Sequence, residues 1–206
     1  MMKLPSTTFA RRRSARSALL CLLAALCVCA GRMDEVAGRM QRPADGEAKV
    51  TTVFLVRHAE KGDAPAQDPP LSEAGKQRAE ALARLLQSAG VKGIYTSQFQ
   101  RTQQTAEPLA KRLGITVSPV ALGVKPSNPR EVTEESVREL TKKVETHAGA
   151  AVLIVGHTNS IPEVIRMLGG DIVPKIDESK FDDLFVVTVY AGGRAKVVQL
   201  KYGSTD

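Results

Sequence analysis

Cysteine is nearly absent from this chain of 206 residues, and its three cysteines, Cys21, Cys27 and Cys29, all lie within the first 30 residues. The chain after Ala30 therefore carries no thiol. This excludes disulfides, thiolate metal sites and cysteine nucleophiles from that part of the protein. The pattern is compatible with an oxidising compartment.

Aromatic residues are also scarce, at 4% of the chain, and tryptophan is missing. The net charge is +7, but residues 1–30 hold five of the 29 basic residues and none of the 22 acidic ones. The remainder thus carries 24 basic against 22 acidic residues. A nearly neutral domain with few aromatics lacks the basic face and the stacking surface of a nucleic-acid binder. We therefore expect no nucleic-acid partner.

Long apolar runs are missing, and the longest candidate is the stretch 18–30, which follows a basic segment ending at Arg16. With small residues at its end, this pattern predicts a secretory signal peptide over residues 1–30. The apolar stretch is shorter than the roughly 20 residues that a membrane-spanning helix needs. An uncleaved N-terminal anchor and twin-arginine export remain open. Residues 31–49 mix charged residues with glycine and proline, which predicts a flexible tether. We expect an exported protein, periplasmic or secreted, that contacts a membrane only through an uncleaved leader.

From residue 50 onward, apolar runs alternate with amphipathic segments. This alternation predicts one domain over residues 50–206, folded as a three-layer α/β/α sandwich whose mostly parallel sheet has an antiparallel C-terminal edge. The first helix is expected to turn Ala79, Leu82, Leu85 and Leu86 inward. The predicted order is strand 51–57, helix 72–90, strand 93–97, helix 100–113, strand 115–120, polar loop, helix 133–146, strand 150–155, helix 161–168 and a hairpin of strands 184–190 and 196–201.

Two of the predicted buried strands end in a histidine. Arg57 and His58 close the first strand, and His157 closes the strand at 150–155, while Arg101 opens the second helix. Ligands of open α/β sheets bind beyond the carboxyl ends of the strands, where these residues fall. A neutral imidazole, a second imidazole and two guanidinium groups suit a phosphoryl group, because one histidine can attack while the cations hold the oxygens.

These motifs resemble those of the histidine phosphatase superfamily, also called phosphoglycerate mutase-like. The resemblance rests on Arg57-His58, on the Ser-x-x-x-Arg-x-x-x-Thr-Ala pattern of residues 97–106, and on Gly156-His157, in the order found in that family. It implies that His58 is the nucleophile that becomes phosphorylated, and that Arg57, Arg101 and His157 grip the phosphate. A protonated His157 would strengthen that grip. No step needs a metal or another cofactor.

The proton donor is where the chain departs from the family, since Thr158 follows His157 and the connection after the third strand is short. We take Glu60 as the proton donor, with Glu163 as the alternative. Glu60 could instead form an ion pair. Ser97 is expected to bind substrate, although Ser97 and Thr105 could equally cap and pack. His147 is expected to be structural.

The short connection also implies an open site for bulky or exposed phosphates. The expected partner is a phosphorylated substrate, either a small molecule, a phosphosugar or a phosphoprotein. These observations predict an exported, metal-independent phosphomonoesterase that acts through a phosphohistidine on His58. The alternatives are a mutase of the phosphoglycerate type and a catalytically weak phosphate-binding or interaction module of the same fold.

Overall fold

The computed structural model describes residues 49–203, so the predicted signal peptide lies outside the described residues, as does nearly all of the predicted tether. Within residues 49–203, no helix combines the length and the hydropathy that a membrane crossing requires.

Eight strands and four helices make up the described part of the chain. In chain order they are β1 (Thr51–Arg57), α1 (Glu73–Leu86), β2 (Val91–Thr96), α2 (Gln100–Leu113), β3 (Val117–Pro119), β4 (Val124–Lys125), β5 (Asn128–Val132), α3 (Glu134–Glu145), β6 (Ala151–Gly156), α4 (Ile161–Met167), β7 (Asp183–Val189) and β8 (Ala195–Lys201).

Six of the strands form one sheet in the order β3-β2-β6-β1-β7-β8. The first four of these run parallel, while β7 is antiparallel to β1 and β8 is antiparallel to β7. Helices α1 and α2 contribute to the core on one face of the sheet, and α3 and α4 contribute to the core on the other. The predicted three-layer sandwich with an antiparallel C-terminal edge is therefore confirmed.

Strand β1 is central because its residues are apolar on both faces. Val53 and Leu55 pack into the core with α3 and α4, whereas Val56 packs with α1 and α2. This burial on both sides is typical of a parallel strand flanked by βα crossovers. The register pairs Arg57 of β1 with Gly156 of β6, so the two strands end level with each other.

Helix α1 begins where a capping serine and a close backbone approach coincide. The Ser72 hydroxyl accepts a hydrogen bond from the Gly75 N–H, as expected of an N-cap. A Cβ on Gly75 would lie only 2.1 Å from the carbonyl oxygen of Glu60, so only glycine fits there. The helix buries Ala79, Leu82 and Leu86 as predicted.

Several details of the predicted elements were wrong, among them the end of the first helix, which is Leu86 rather than residue 90, and the third strand, which spans only Val117–Pro119. Leu85 is 51% exposed, because it lies just outside the buried stripe of α1. Strand β2 begins at Val91 rather than at Gly93, with a register shift between these residues where it pairs with β6. The polar loop predicted near residue 126 contains the short antiparallel hairpin of β4 and β5, whose mostly exposed strands show no apolar alternation.

Candidate active site

The fold brings the two motif histidines side by side. His58 directly follows β1 and His157 directly follows β6, and the backbone N–H of His58 donates to the Gly156 carbonyl at 2.9 Å. The two imidazole rings meet edge to face, with centroids 5.3 Å apart. Both side chains are buried. The predicted convergence at the carboxyl edge of the sheet is therefore present in the structure.

The tautomer of His58 follows from one hydrogen bond. Its Nδ1 lies 2.8 Å from the carbonyl oxygen of Ala59. A carbonyl oxygen can only accept, so Nδ1 must carry the proton. In the neutral ring, the lone pair then belongs to Nε2. This is the arrangement that a nucleophilic imidazole needs.

A chain of hydroxyl groups fixes the tautomer of His157. The Thr102 hydroxyl lies 2.8 Å from the Phe99 carbonyl oxygen and 3.1 Å from that of Ser97, and because both can only accept, its one proton is directed to them. The Ser97 hydroxyl, 2.9 Å away, therefore donates to Thr102, and its oxygen accepts from Nε2 of His157 at 2.8 Å. Ser97 thus holds the His157 ring, while its role in substrate binding stays a prediction.

Both imidazoles are neutral near pH 7. Burial lowers the pKa of His58 to about 4, the bond to Ala59 opposes this, and Arg57 and Arg101 add to it. Burial also lowers the pKa of His157 to about 3, with further contributions from His58 and the two arginines. The additional grip that a protonated His157 would supply is therefore not available in the free site, because two cations and a second imidazole surround a buried ring.

Arg57 is anchored by the loop that precedes β7. Its Nη1 donates to the carbonyl oxygens of Glu178 at 2.5 Å and Lys180 at 3.0 Å, and its Cζ lies 4.2 Å from the centroid of the Phe181 ring. Burial lowers the pKa of Arg57, which the nearby Glu178 carboxylate opposes. The Phe181 ring also packs 6.0 Å from that of His58, so this loop borders the nucleophile.

Arg101 lies in the first turn of α2 and faces the same region. Its Cζ stacks 4.3 Å from the centroid of the Phe99 ring, which in turn meets His157 at right angles. Asp68 holds the other side, with its Oδ1 3.7 Å from Nη1 of Arg101 and 2.9 Å from the backbone N–H of Gln100. Burial lowers the pKa of Arg101, and Asp68 opposes the change.

Thr105 links two parts of the site. Its hydroxyl accepts from the backbone N–H of Ala59 at 2.9 Å and donates to the Arg101 carbonyl at 2.7 Å. The side chain is completely buried. Of the two roles left open for Thr105, the structure therefore shows the structural one, in which it fixes the loop after His58 to the helix that carries Arg101.

A cavity of about 640 Å³ opens beside His157 and Arg101. The hairpin of β4 and β5 supplies part of its wall, and Glu178 is the carboxylate among its described lining residues. Arg57 and His58 adjoin this cavity through their contacts with Glu178 and His157 and are not part of its lining. Lining residues include Phe99, Arg101, Arg130, His157, Asn159 and Glu178.

The structure does not bring Glu60 into this cavity. Its carboxylate accepts two hydrogen bonds from Nε of Arg78, at 2.8 and 3.0 Å, and pairs with Nη2 of the same side chain at 2.7 Å. It lines a separate depression beside α1. Glu60 as proton donor is thus not supported by the geometry, because Arg78 draws it away. The alternative, Glu163, pairs with Arg166 on the surface of α4 and lines another depression.

Three residues that border the site were missed by the sequence interpretation. Asp68, Glu178 and Phe181 all lie in loops, where no periodicity assigns a direction to a side chain. The only available signal was the position of their loops, which follow β1 and precede β7. His147 bonds through Nε2 to the Tyr95 hydroxyl at 2.9 Å, away from this group. Within residues 49–203, no cluster of three or more residues could hold a metal ion.

Comparison with known proteins gives a match for the part of the chain that carries the first two motifs. A family model described as the histidine phosphatase superfamily (branch 1) matches residues 53–122. A probable phosphoglycerate mutase, GpmB, of Yersinia enterocolitica is 41% identical over 71 residues, which is 32% of this chain and 33% of that protein. The chain thus spans about a third of the length of the curated relatives it matches.

Solved structures share the fold over most of the chain. The protein histidine phosphatase SixA, in complex with tungstate, matches with a TM-score of 0.57 and 20% identity, covering 73% of this chain and 96% of that chain. A phosphoglycerate mutase from Bacillus anthracis matches with a TM-score of 0.59 and 17% identity, covering 76% of this chain and 95% of that one. At these identities the likeness concerns the fold.

Proposed function

Because the chain belongs to the histidine phosphatase superfamily, we propose that it is an exported phosphomonoesterase that works through a phosphohistidine on His58. Members of this superfamily are phosphatases and mutases. The single observation that carries the proposal is the bond from Nδ1 of His58 to the Ala59 carbonyl, which leaves the lone pair on Nε2 in a ring adjoining His157 and Arg57.

The surrounding charges support attack on a phosphoryl group. A neutral His58 is ready to attack at neutral pH, since its pKa is lowered to about 4. Arg57 and Arg101 keep their charge at any physiological pH and can bind phosphoryl oxygens through paired N–H groups. Their attraction grows as charge develops on those oxygens, which lowers the barrier to transfer.

Transfer would take place in two halves. In the first, Nε2 of His58 forms a bond to phosphorus as the bond to the leaving oxygen breaks. In the second, a water oxygen attacks the phosphohistidine, the P–N bond breaks, and its electron pair returns to Nε2. The neutral ring with its proton on Nδ1 is then restored and phosphate leaves.

The test is hydrolysis of an aryl phosphate by the purified protein with EDTA present, beside His58→Ala. We expect turnover that survives chelation and depends on His58. Full activity in His58→Ala would refute the mechanism. A folded wild-type protein that binds vanadate and does not hydrolyse the ester would favour the binding module instead, an alternative supported by the diversion of Glu60 to Arg78.

The substrate is proposed to be larger than phosphate itself. The cavity beside His157 has a volume of about 640 Å³, within the range of sites for whole small molecules, and it is open to solvent. A phosphosugar or an exposed phosphorylated side chain would fit this description. A mutase would instead return the phosphoryl group to its product, so analysis of products from a phosphorylated glycerate separates the two activities.

Export is proposed from the N-terminal sequence alone. The basic segment, the apolar stretch 18–30 and the small residues at its end support a cleaved signal peptide. N-terminal sequencing of the protein recovered from the cell envelope or medium tests this. A mature N-terminus near residue 31 is expected, and an intact leader on a membrane-bound protein would instead indicate an anchor.

A further inference from the structure

Departure of an alkoxide requires a proton, and the carboxylates around the site differ in their availability to supply it. Most are engaged by partners that favour their charged form. Asp68 accepts from a helix N-terminus and faces Arg101. Glu60 is held by Arg78, and Glu163 by Arg166. Among the described residues that line the cavity, the one with a carboxylate is Glu178.

The backbone of Glu178 is held by a hydrogen bond, whereas its carboxylate has no partner among the described residues. Its carbonyl oxygen accepts the 2.5 Å hydrogen bond from Nη1 of Arg57, which ties this residue to the end of β1. The residue lines the cavity together with His157 and Arg101. Among residues 49–203, no hydrogen bond or ion pair engages its carboxylate. Of the acids near Arg57, it also has the strongest effect on that guanidinium.

We propose that Glu178 is the proton donor to the leaving group, an inference that rests on the proposed function. As Nε2 of His58 bonds to phosphorus and the P–O bond breaks, the leaving oxygen takes the proton of the Glu178 carboxyl group. The resulting carboxylate then takes a proton from the water that attacks the phosphohistidine. Phosphate, the alcohol, neutral His58 and protonated Glu178 are the products, so atoms and charges balance over the cycle.

The bound substrate itself favours this protonation state. A phosphoryl dianion beside the carboxyl group is a like charge, and a like charge favours the neutral form of an acid. The cations at Arg57 and Arg101 act in the opposite direction, and the dianion offsets them when it binds between them. Binding of the dianion thus favours the protonated carboxyl group that the transfer uses.

The test compares two leaving groups in Glu178→Gln. A nitrophenolate leaves without a proton, whereas the alkoxide of an alkyl phosphate does not. We expect kcat/KM for the alkyl phosphate to fall by about 10²- to 10⁴-fold, the usual contribution of a general acid, while kcat/KM for nitrophenyl phosphate stays near the wild-type value. With nitrophenyl phosphate, kcat should fall and a burst should appear, because the phosphohistidine then accumulates. Glu178→Asp should partly restore the alkyl ester activity.

Glu163→Gln and Asp68→Asn are the matched controls. Glu163 is a partly exposed glutamate paired with Arg166, and its substitution should leave the kinetics on both substrates unchanged. An equal loss on both substrates in Glu178→Gln would show a role in folding or binding and would overturn the assignment. So would unchanged kinetics, or a selective alkyl ester loss in Asp68→Asn alone. A wild-type protein inactive on both esters would instead refute the proposed function.

Discussion

The imidazole rings of His58 and His157 meet edge to face, 5.3 Å apart, at the level ends of two adjacent parallel strands. Each ring has one nitrogen committed to the protein, Nδ1 of His58 to Ala59 and Nε2 of His157 to Ser97. No described residue bonds to the opposite nitrogen of either ring. The two rings are oriented by different partners, which allows their roles to be tested separately.

His58→Ala should abolish hydrolysis and the acid-labile, base-stable phosphoenzyme that brief exposure to labelled substrate would otherwise trap. The reason is that the proposed transfer uses the lone pair on Nε2 of His58, whose Nδ1 is bonded to the Ala59 carbonyl. His147→Ala is the control, because the described hydrogen bond of the His147 side chain is to Tyr95, outside this site. It should lose about 1 kcal/mol of unfolding free energy and keep its activity. A labelled phosphoenzyme in His58→Ala would contradict the assignment.

Stability should fall as the pH drops below about 6.5. The pKa of His58 is lowered to about 4 in the folded protein, so between these values the unfolded chain binds a proton that the folded one does not. The contribution of His58 to the unfolding free energy is therefore complete above its pKa in the unfolded chain, and it is lost as the pH falls toward its pKa in the folded protein. Near pH 5.5, His58→Ala should reduce the slope of unfolding free energy against pH by up to about 1.4 kcal/mol per unit. Urea denaturation at several pH values measures it, and parallel profiles would contradict it.

Arg101→Lys should weaken binding of vanadate. Lysine keeps the charge but loses the planar fork that can face both a phosphoryl oxygen and Asp68. A hydrogen bond to a charged group contributes about 1.5–3 kcal/mol, so a loss of roughly 10- to 100-fold in affinity is expected by calorimetry. Arg112→Lys, whose partner Glu80 lies on the surface, should bind vanadate as the wild type does. Equal affinity in all three proteins would exclude a direct role for Arg101.

Thr105→Val should destabilise the protein and Thr105→Ser should do so much less. Valine fills the same volume but leaves the buried N–H of Ala59 without its acceptor, a loss of about 1–3 kcal/mol. Serine keeps the hydroxyl and lacks only a methyl group, worth about 0.8 kcal/mol. Urea midpoints measured at an unchanged m-value separate these outcomes. If serine were the more damaging substitution, packing would outweigh the hydrogen bond.

The sequence predicted the parts of the site that belong to regular structure. The apolar, β-branched run before Arg57 specifies a buried strand, and a strand end determines where the next residue lies. Arg101 follows in the same way from the start of a helix. Glu60 shows the limit of this reasoning. Its position two residues after His58 in the sequence does not reveal that Arg78, in α1, binds its carboxylate.

Loops account for the remaining differences. Glu178 and Asp68 reach the site through loop conformations that depend on long-range hydrogen bonds, to Arg57 in one case and to Gln100 in the other. No pattern in the local sequence encodes such partners. The β4–β5 hairpin was missed for a related reason, since prolines at positions 126 and 129 are typical of loops and its exposed strands lack a buried face.

Because β1 and β6 end level with each other, the arrangement of the two histidines depends on the register of these central strands. Side chains alternate along a strand, so a slip of one residue between β1 and β6 would turn His58 or His157 to the opposite face. The two rings can meet only after the centre of the sheet has formed in one register. Binding of an oxyanion at these histidines would therefore appear during refolding together with native core formation, and not before it.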